Sequence, residues 1–265
     1  MTRPVWLCAA WLASQSVSLA ATLQQQTLDA FDRHIRAVEA RRDERVRGAR
    51  SFLWADESPQ RREQARRGEI VIEPLVGKGD LEVPGGLVHD WIGAVFIPGA
   101  TLDRTLALVQ NYDNHRNIYQ PEVIGSKTLS RQGNRFKIHL RLLKKKILTV
   151  VLSTEHDVEY FPLDPQRCHS RSYSTRIAEV ANPGAPGERE LPPDTGHGFL
   201  WRLYSYWRFR ERDGGVWVEC QAVSLTRGIP TGLGWLIEPI IRGLPRDSLA
   251  NTLRATRAAL TLPTR

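Results

Sequence analysis

An Asp-Gly pair at positions 213–214 constrains the fold of this chain more than any other feature of its sequence. Asp-Gly favours a tight two-residue hairpin turn, and long runs rich in aromatic and β-branched residues lie on both sides of it. Pairing outward from the turn places Phe209 opposite Val218 and Trp207 opposite Cys220. Because side chains alternate between the faces of a strand, one face of this hairpin is apolar and the other carries charged and tyrosine side chains. The apolar face must therefore be covered by another element.

The composition is that of a globular protein with a basic net charge. Of the 265 residues, 41% are hydrophobic and 25% are charged, and the formal net charge is +8. A positive charge suits anionic partners such as nucleic acid or lipid headgroups, but most charged side chains lie on solvated faces. The best basic cluster in the predicted sheet, residues 144–146, lies at a hairpin end, where lysines are usually solvated. We therefore predict no nucleic-acid partner.

The first 20 residues have the pattern of a secretory signal peptide. A short basic start precedes the apolar run 5–13, and Ser18 to Ala20 offers a small-x-small cleavage site. The apolar run is too short to span a bilayer. We predict export of a bacterial protein to the periplasm or the medium, and an uncleaved anchor is the alternative. Cys168 and Cys220 would then meet an oxidising compartment, but we expect them on separate elements as buried free thiols.

Residues 21–68 are predicted to form an arginine-rich helical extension that precedes the main domain. Apolar residues recur at helical spacing from 22 to 50, and a second basic cluster follows at 61–67. A boundary is predicted at 54–59. We expect the arginines to be solvated and paired with neighbouring acidic residues. The alternative is that the segment from Arg41 to Arg67 docks on an anionic membrane surface.

Strand signals separated by turn residues dominate the chain from Glu69 to about residue 180. A helix capped by Thr101 interrupts them and runs to about Tyr112. Four strand-like runs follow between residues 121 and 180, and the Pro- and Gly-rich stretch 181–196 is predicted to be a surface loop. With the hairpin, the sequence predicts an antiparallel meander of about six strands.

After the hairpin the chain is predicted to be helical to its end. Apolar residues recur at helical spacing from residue 233 to residue 260, and Pro245 marks a predicted break that begins a second helical segment. No other long apolar element follows the hairpin in the sequence, so we expect this helix to cover the apolar face. Strands, short helices and a late covering helix make an α+β domain.

This order of elements resembles the START-like superfamily (SRPBCC, polyketide cyclase/dehydrase-like). The sequence segments that show the resemblance are HDWIGAVFIPGATLDRTLALVQNYDNHRNIYQPEV and SLTRGIPTGLGWLIEPIIRGLPRDSLANTLRATRAAL. The resemblance covers residues 81–260 within a domain predicted at 69–265, and it rests on layout rather than on a catalytic motif. It implies a helix-grip fold, in which a curved antiparallel sheet wraps around the long C-terminal helix. It also implies a cavity between the two, in which members bind lipids, sterols, polyketides or other apolar molecules and some catalyse reactions on them.

The hairpin pattern and the resemblance together give a set of candidate ligand-binding residues. They are inward residues of the hairpin, two polar residues of the preceding strand, two tyrosines at the expected rim and three residues of the last helix. These candidates are Trp201, Leu203, Ser205, Trp207, Phe209, Val218, Tyr173, Arg171, Tyr112, Tyr119, Trp235, Ile237 and Ile241. If there is no cavity, the aromatic candidates pack directly on the last helix as core.

We predict an exported binding protein for a lipid-like or polycyclic hydrophobic molecule. One alternative is a cyclase- or hydrolase-type enzyme in the same cavity, which needs an inward titratable group with a perturbed pKa. Another is a membrane-surface scaffold that docks through the basic N-terminal helix. The sequence contains no phosphate loop, dinucleotide fingerprint or nucleophile elbow, and its histidines lack metal-ligand spacing. We therefore predict no cofactor, no metal and no catalytic residue.

Overall fold

The computed structural model describes residues 21–145, 149–228 and 234–261, and only the backbone of residues 234–242. The signal peptide predicted for residues 1–20 lies outside this range. Within the described part, no helix is both long enough and apolar enough to cross a membrane.

The chain alternates short N-terminal helices, a long run of strands and one long C-terminal helix. The helices are α1 (Gln25–Val46), α2 (Pro59–Arg66), α3 (Leu102–Gln110), α4 (His115–Ile118) and α5 (Gly234–Thr261), with 3-10 turns at Ala55–Glu57 and Tyr112–Asn114. The strands are β1 (Val71–Pro74), β2 (Asp80–Val83), β3 (Gly86–Pro98), β4 (Val123–Gln132), β5 (Arg135–Lys145), β6 (Thr149–Asp164), β7 (Arg167–Ala181), β8 (Arg189–Glu190), β9 (Arg202–Arg212) and β10 (Gly215–Arg227).

The described strands form one antiparallel sheet in the order β1-β3-β10-β9-β7-β6-β5-β4. Strand β2 pairs with β3 beyond the end of β1, and the short β8 pairs with the end of β7. The six strands predicted for the meander are β4 to β7 and the β9–β10 hairpin. Of the other four, β1, β2 and β3 lie where the sequence has strand signals before α3, and β8 lies within the stretch predicted as a surface loop. The predicted α+β class is confirmed.

The β9–β10 hairpin has the register that the sequence predicts. Trp207 pairs with Cys220, and the other cross-strand pairs follow from the same alignment. Asp213 and Gly214 both have positive φ angles, of 59° and 75°. Such angles at both central residues are required by the turn that suits the twist of two paired strands. Cys168 and Cys220 are buried free thiols, as predicted.

Helix α5 covers the inner face of the sheet, so the predicted helix-grip layout is present. Leu249, Leu253 and Leu260 of α5 belong to the same buried core as Val95 of β3 and its neighbours. The predicted break at Pro245 is wrong, because α5 is one helix from Gly234 to Thr261. Pro245 removes one intrahelical hydrogen bond. This cost is offset because Leu249, Leu253 and Leu260 reach the buried core only if the helix continues past the proline.

The N-terminal segment covers the outer face of the sheet. Phe31 of α1 is in a buried cluster with Tyr206 of β9, and Trp54 is in another with Trp217 of β10. The stretch 54–59, predicted as a domain boundary, therefore begins with residues packed against the sheet.

Two arginines of this segment are buried, although the prediction made them solvated. Arg42 lies against His169, with 2.6 Å between the Nη2 and Nδ1 atoms. Arg45 forms an ion pair with Glu57 at 2.9 Å and donates to the carbonyl of Ser51. The prediction missed their burial because arginines next to acidic residues have the pattern of a solvated helix.

Candidate ligand-binding cavity

A cavity of about 530 Å³ lies between the inner face of the sheet and α5. Its walls come from the inner faces of β5, β6, β7, β9 and β10, from the α3–α4 segment and from the part of α5 that begins at Leu244. Pockets that bury small organic ligands have volumes of about 300–1,000 Å³. The space is therefore large enough for a small molecule.

The cavity exists because the middle of the sheet carries short side chains on its inner face. Ser172 pairs with Ser205 across β7 and β9, and Ser205 pairs with Ala222 across β9 and β10. Ser170 and Ser224 lie two residues away from this row, and all five residues line the cavity. Large apolar side chains at these positions would fill the space between sheet and helix.

The wall formed by β5 and β6 consists mainly of hydrocarbon side chains. Its cavity-lining residues include Ile138, Leu140, Leu142, Leu152 and Val158. Alternation along each strand directs these residues to the inner face, while Lys137 and Glu159 lie on the outer face. The cavity thus has an apolar wall on these strands and a hydroxyl-bearing wall on β7, β9 and β10.

Buried tyrosines close the side of the cavity next to α3 and α4. The hydroxyl oxygens of Tyr112 and Tyr160 are 2.8 Å apart, and Tyr160 donates to the carbonyl of Val109 at 3.4 Å. Tyr119 bonds to Thr256 of α5, with 3.2 Å between their hydroxyl oxygens. Burial raises the pKa of Tyr119 to about 12 and raises the pKa of Tyr112 and Tyr160 as well. All three phenols are therefore protonated at neutral pH.

Two histidines that line the cavity are neutral at neutral pH. Burial lowers the pKa of His115 and of His156 to about 4. His115 Nε2 is 3.1 Å from the carbonyl oxygen of Val109, and His156 Nε2 is 3.0 Å from Thr154 Oγ1. These hydrogen bonds fix the ring positions, while the burial disfavours the charged form.

The rim of the cavity carries an ion pair that joins the sheet to α5. Lys144 at the end of β5 pairs with Glu122 and donates to Ser248 Oγ at 2.6 Å. Asn251 of α5 donates to the other oxygen of Glu122 at 2.7 Å. Burial raises the pKa of Glu122, but Lys144 and the hydrogen-bond donors outweigh it and the net effect is a lowered pKa. Glu122 is thus ionised and holds the helix to the strand.

The residues that follow the Pro- and Gly-rich stretch also reach the cavity. His197, Phe199 and Leu200 line it. Glu179 at the end of β7 accepts hydrogen bonds from the backbone N–H groups of His197 and Phe199, at 2.8 and 3.1 Å. A buried carboxylate therefore anchors the chain between the predicted surface loop 181–196 and β9.

Five of the sequence-predicted candidates lie together on the cavity wall. They are Leu203, Ser205, Trp207, Tyr112 and Tyr119. Phe209 and Val218 point to the same side of the sheet, but they are completely buried in the core beside the cavity. The side chains of Trp235, Ile237 and Ile241 lie outside the described residues.

Three candidates lie on the opposite face of the sheet, which corrects their predicted placement. Trp201 precedes β9 and packs in the cluster under α1, because the alternation of β9 begins only at Arg202. Tyr173 donates to Glu39 of α1, and Arg171 pairs with Glu159 at 2.8 Å. Since Ser172 pairs with Ser205, the neighbouring residues 171 and 173 point away from the cavity.

Several lining residues were not among the candidates. The serines Ser170 and Ser172 have a signal in the sequence, because β7 alternates serine with larger polar residues. His156, Glu122 and Lys144 have no local signal, because their positions depend on the sheet order and on contacts with α5. Among the described residues, no group of three His, Cys, Asp or Glu side chains is placed to hold a metal ion.

Several solved structures are similar to this chain. TTHA0849 from Thermus thermophilus is 16% identical with a TM-score of 0.45, and the match covers 64% of this chain and 94% of that one. A STAR-related lipid transfer protein from Xanthomonas axonopodis is 19% identical with a TM-score of 0.44, over 69% and 99% of the two chains. The Zhui aromatase/cyclase from a Streptomyces species is 15% identical with a TM-score of 0.41, over 65% and 93%.

No protein-family profile matches the chain, and no curated protein matches it.

Proposed function

We propose that this protein binds a hydrophobic small molecule, lipid-like or polycyclic, in the cavity between the sheet and α5. The observation that carries the proposal is the cavity of about 530 Å³ with an apolar wall on β5 and β6. Transfer of apolar surface from water into such a site contributes roughly 25 cal/mol per Å². Polar groups in such a pocket mainly orient the ligand.

The protonation states of the lining groups favour binding over acid–base turnover. A general acid or base works best when its pKa is near the operating pH. Burial lowers the pKa of His115 and His156 to about 4, and it raises the pKa of Tyr119 to about 12. At neutral pH these groups donate and accept hydrogen bonds without exchanging protons readily.

Filling the cavity tests the proposal. Ala222 lines the cavity in the middle of β10, and Ala222→Phe places a phenyl ring in the space. The wild-type protein, purified from cells and examined by native mass spectrometry and solvent extraction, is expected to carry a hydrophobic molecule. The Ala222→Phe protein is expected to carry none.

Ala107→Phe is the matched control, because Ala107 is exposed on α3 and does not line the cavity. It should retain as much bound molecule as the wild type. A wild-type protein that carries no ligand and takes up none from a mixture of lipid extracts would overturn the proposal.

We also propose that the protein acts outside the cytoplasm, on the basis of the signal-peptide pattern in residues 1–20. Expression of the full chain and of a form that begins at residue 21, followed by cell fractionation, tests this. The full chain should be recovered from the periplasm or medium with its first residues removed, and the shortened form should remain in the cytoplasm.

A further inference from the structure

Four serines form a diagonal track across the inner face of the sheet. Ser170 and Ser172 lie on β7, Ser205 lies opposite Ser172 on β9, and Ser224 lies on β10 two residues beyond the partner of Ser205. All four line the cavity. Residues repeat at about 3.3 Å along a strand and strands are about 4.8 Å apart, so the track is about 16 Å long.

The hydroxyl groups of this track have no hydrogen-bond partner among the described residues. Ser174, the next serine of β7, differs because its Oγ accepts from the backbone N–H of Leu203 at 3.0 Å. Ser170 and Ser224 are buried, and Ser172 and Ser205 are half-buried. Their oxygen atoms keep accessible surface in the cavity. A serine hydroxyl has one donor and two acceptor positions, so a ligand that covers these oxygens without bonding to them would leave buried polar groups unpaired, which is costly.

The part of the wall on β5 and β6, the strands beside β7 in the sheet, has a different chemistry. Its lining is mainly hydrocarbon, such as Leu140, Leu142 and Leu152, and the polar groups of His156 and Tyr160 bond within the protein. A ligand that lies across both parts of the wall therefore meets hydroxyl groups along one edge and mainly hydrocarbon along the other.

We infer that the ligand carries uncharged oxygen atoms spaced along one edge, which lie on the serine track, and has a hydrocarbon edge that faces β5 and β6. This inference rests on the proposed binding function and adds the ligand's polarity and orientation to it. Neutral carbonyl, hydroxyl or ether oxygens match serine hydroxyls, which can donate hydrogen bonds to all three. A pure hydrocarbon chain would leave the four hydroxyl groups unpaired.

Two isomeric probes separate the arrangement of oxygens from size and hydrophobicity. In 1,8-dihydroxyanthraquinone three oxygen atoms lie along one edge of a flat three-ring molecule. In 2,6-dihydroxyanthraquinone the two hydroxyl groups lie at opposite ends. At pH 6, where the phenols are protonated, quenching of tryptophan fluorescence gives both affinities. The 1,8 isomer is expected to bind the wild-type protein about tenfold more tightly.

The double variant Ser172→Ala/Ser205→Ala removes the centre of the track with little change in volume. It should weaken binding of the 1,8 isomer about tenfold and that of the 2,6 isomer less than about twofold. Ser130→Ala is the control, because Ser130 is exposed on β4 and does not line the cavity. It should leave both affinities unchanged.

The failure of this inference is distinguishable from the failure of the proposed function. Equal binding of the isomers, or a preference that survives in the double variant, overturns the serine-track inference. If Ala222→Phe still abolishes binding of both probes in that case, the cavity remains the binding site. If Ala222→Phe leaves the binding of both probes unchanged, the cavity proposal itself is wrong.

Discussion

Leu253 of α5 lies directly over Gly93 of β3, and no room is left between them for a side chain. A Cβ atom placed on Gly93 would be 2.6 Å from Leu253 Cδ1 and 3.1 Å from Ile72 Cγ1. Leu253 is completely buried, so its side chain has little freedom to move aside. The distance between helix and sheet, on which the cavity depends, is therefore set at this contact.

We expect Gly93→Ala to lower the free energy of unfolding by about 1–3 kcal/mol, because the added methyl group overpacks this contact. Urea denaturation measures the change. Gly243→Ala in α5 is the control, since nothing lies within 4 Å of a Cβ at that position. The control should stabilise the protein by about 0.5–1 kcal/mol, because a glycine inside a helix is unfavourable. Equal stability of the Gly93→Ala and wild-type proteins would contradict the prediction.

Glu219 is the centre of a buried polar network on the outer face of the sheet. Its carboxylate accepts from Arg208 Nε at 3.0 Å and from the backbone N–H groups of Trp54 and Ala55 at 3.0 and 2.7 Å. Glu219→Gln should lower the free energy of unfolding by about 3–5 kcal/mol, because it leaves the buried guanidinium of Arg208 without a counter-charge.

The control for Glu219→Gln is Arg135→Ala, which breaks an ion pair between a largely exposed arginine and Glu159. Exposed pairs contribute less than about 1 kcal/mol, so thermal and urea denaturation should detect little change. If Glu219→Gln lowers the free energy of unfolding by no more than this small amount, the Glu219 network does not hold the N-terminal segment to the sheet.

Local signals were sufficient to predict the hairpin but not the way in which distant strands align. The Asp-Gly turn fixes the register of β9 with β10, so the pairing of Trp207 with Cys220 follows from counting residues. The register of β7 with β9 depends on a pairing across residues 182–201, for which no turn sets the alignment. For this reason the faces of Arg171 and Tyr173 were predicted incorrectly.

The role of the N-terminal segment was missed for a different physical reason. Arg208 and Glu219 form the pattern of a solvated strand face, and the sequence of α1 is rich in charges. Their burial becomes visible only when α1 and residues 52–57 are placed against the sheet. Charged residues that are paired with one another have the same sequence pattern whether water or protein covers them.

Stability should decrease as the pH falls from about 6.5 towards 4.5. Burial lowers the pKa of His89, His115, His156 and His169 to about 4, with nearby arginines adding to the effect at His169. In the unfolded chain these histidines bind protons near pH 6.5, while in the folded protein they remain neutral. The unfolded state therefore binds more protons in this range. As the pH falls, its free energy drops relative to that of the folded state, so the free energy of unfolding decreases.

Urea denaturation at intervals between pH 7 and pH 4.5 measures this dependence. In His156→Gln, one of the four groups no longer titrates, so the slope of stability against pH should become shallower. An unchanged slope would mean that His156 does not contribute to the pH dependence.

Trp207 and Phe209 are neighbours on the inner face of β9. Alanine substitutions of the two residues should affect stability and ligand binding differently. Their rings are stacked, with centroids 5.9 Å apart and an angle of 7° between the planes. Phe209 is completely buried in the core, whereas Trp207 is half-buried and lines the cavity. Phe209→Ala should lower the free energy of unfolding by about 3–5 kcal/mol. Trp207→Ala should cost less, because part of its ring faces space that contains no packing partner.

Probe binding is expected to show the opposite order for these two variants. Trp207→Ala removes a surface that the ligand contacts, so it should weaken binding of 1,8-dihydroxyanthraquinone more than Phe209→Ala does. Both affinities are measured at 10 °C, where the destabilised variant is confirmed to be folded by circular dichroism. If Phe209→Ala weakens binding more than Trp207→Ala at equal folded fraction, Trp207 is a packing residue rather than part of the ligand site.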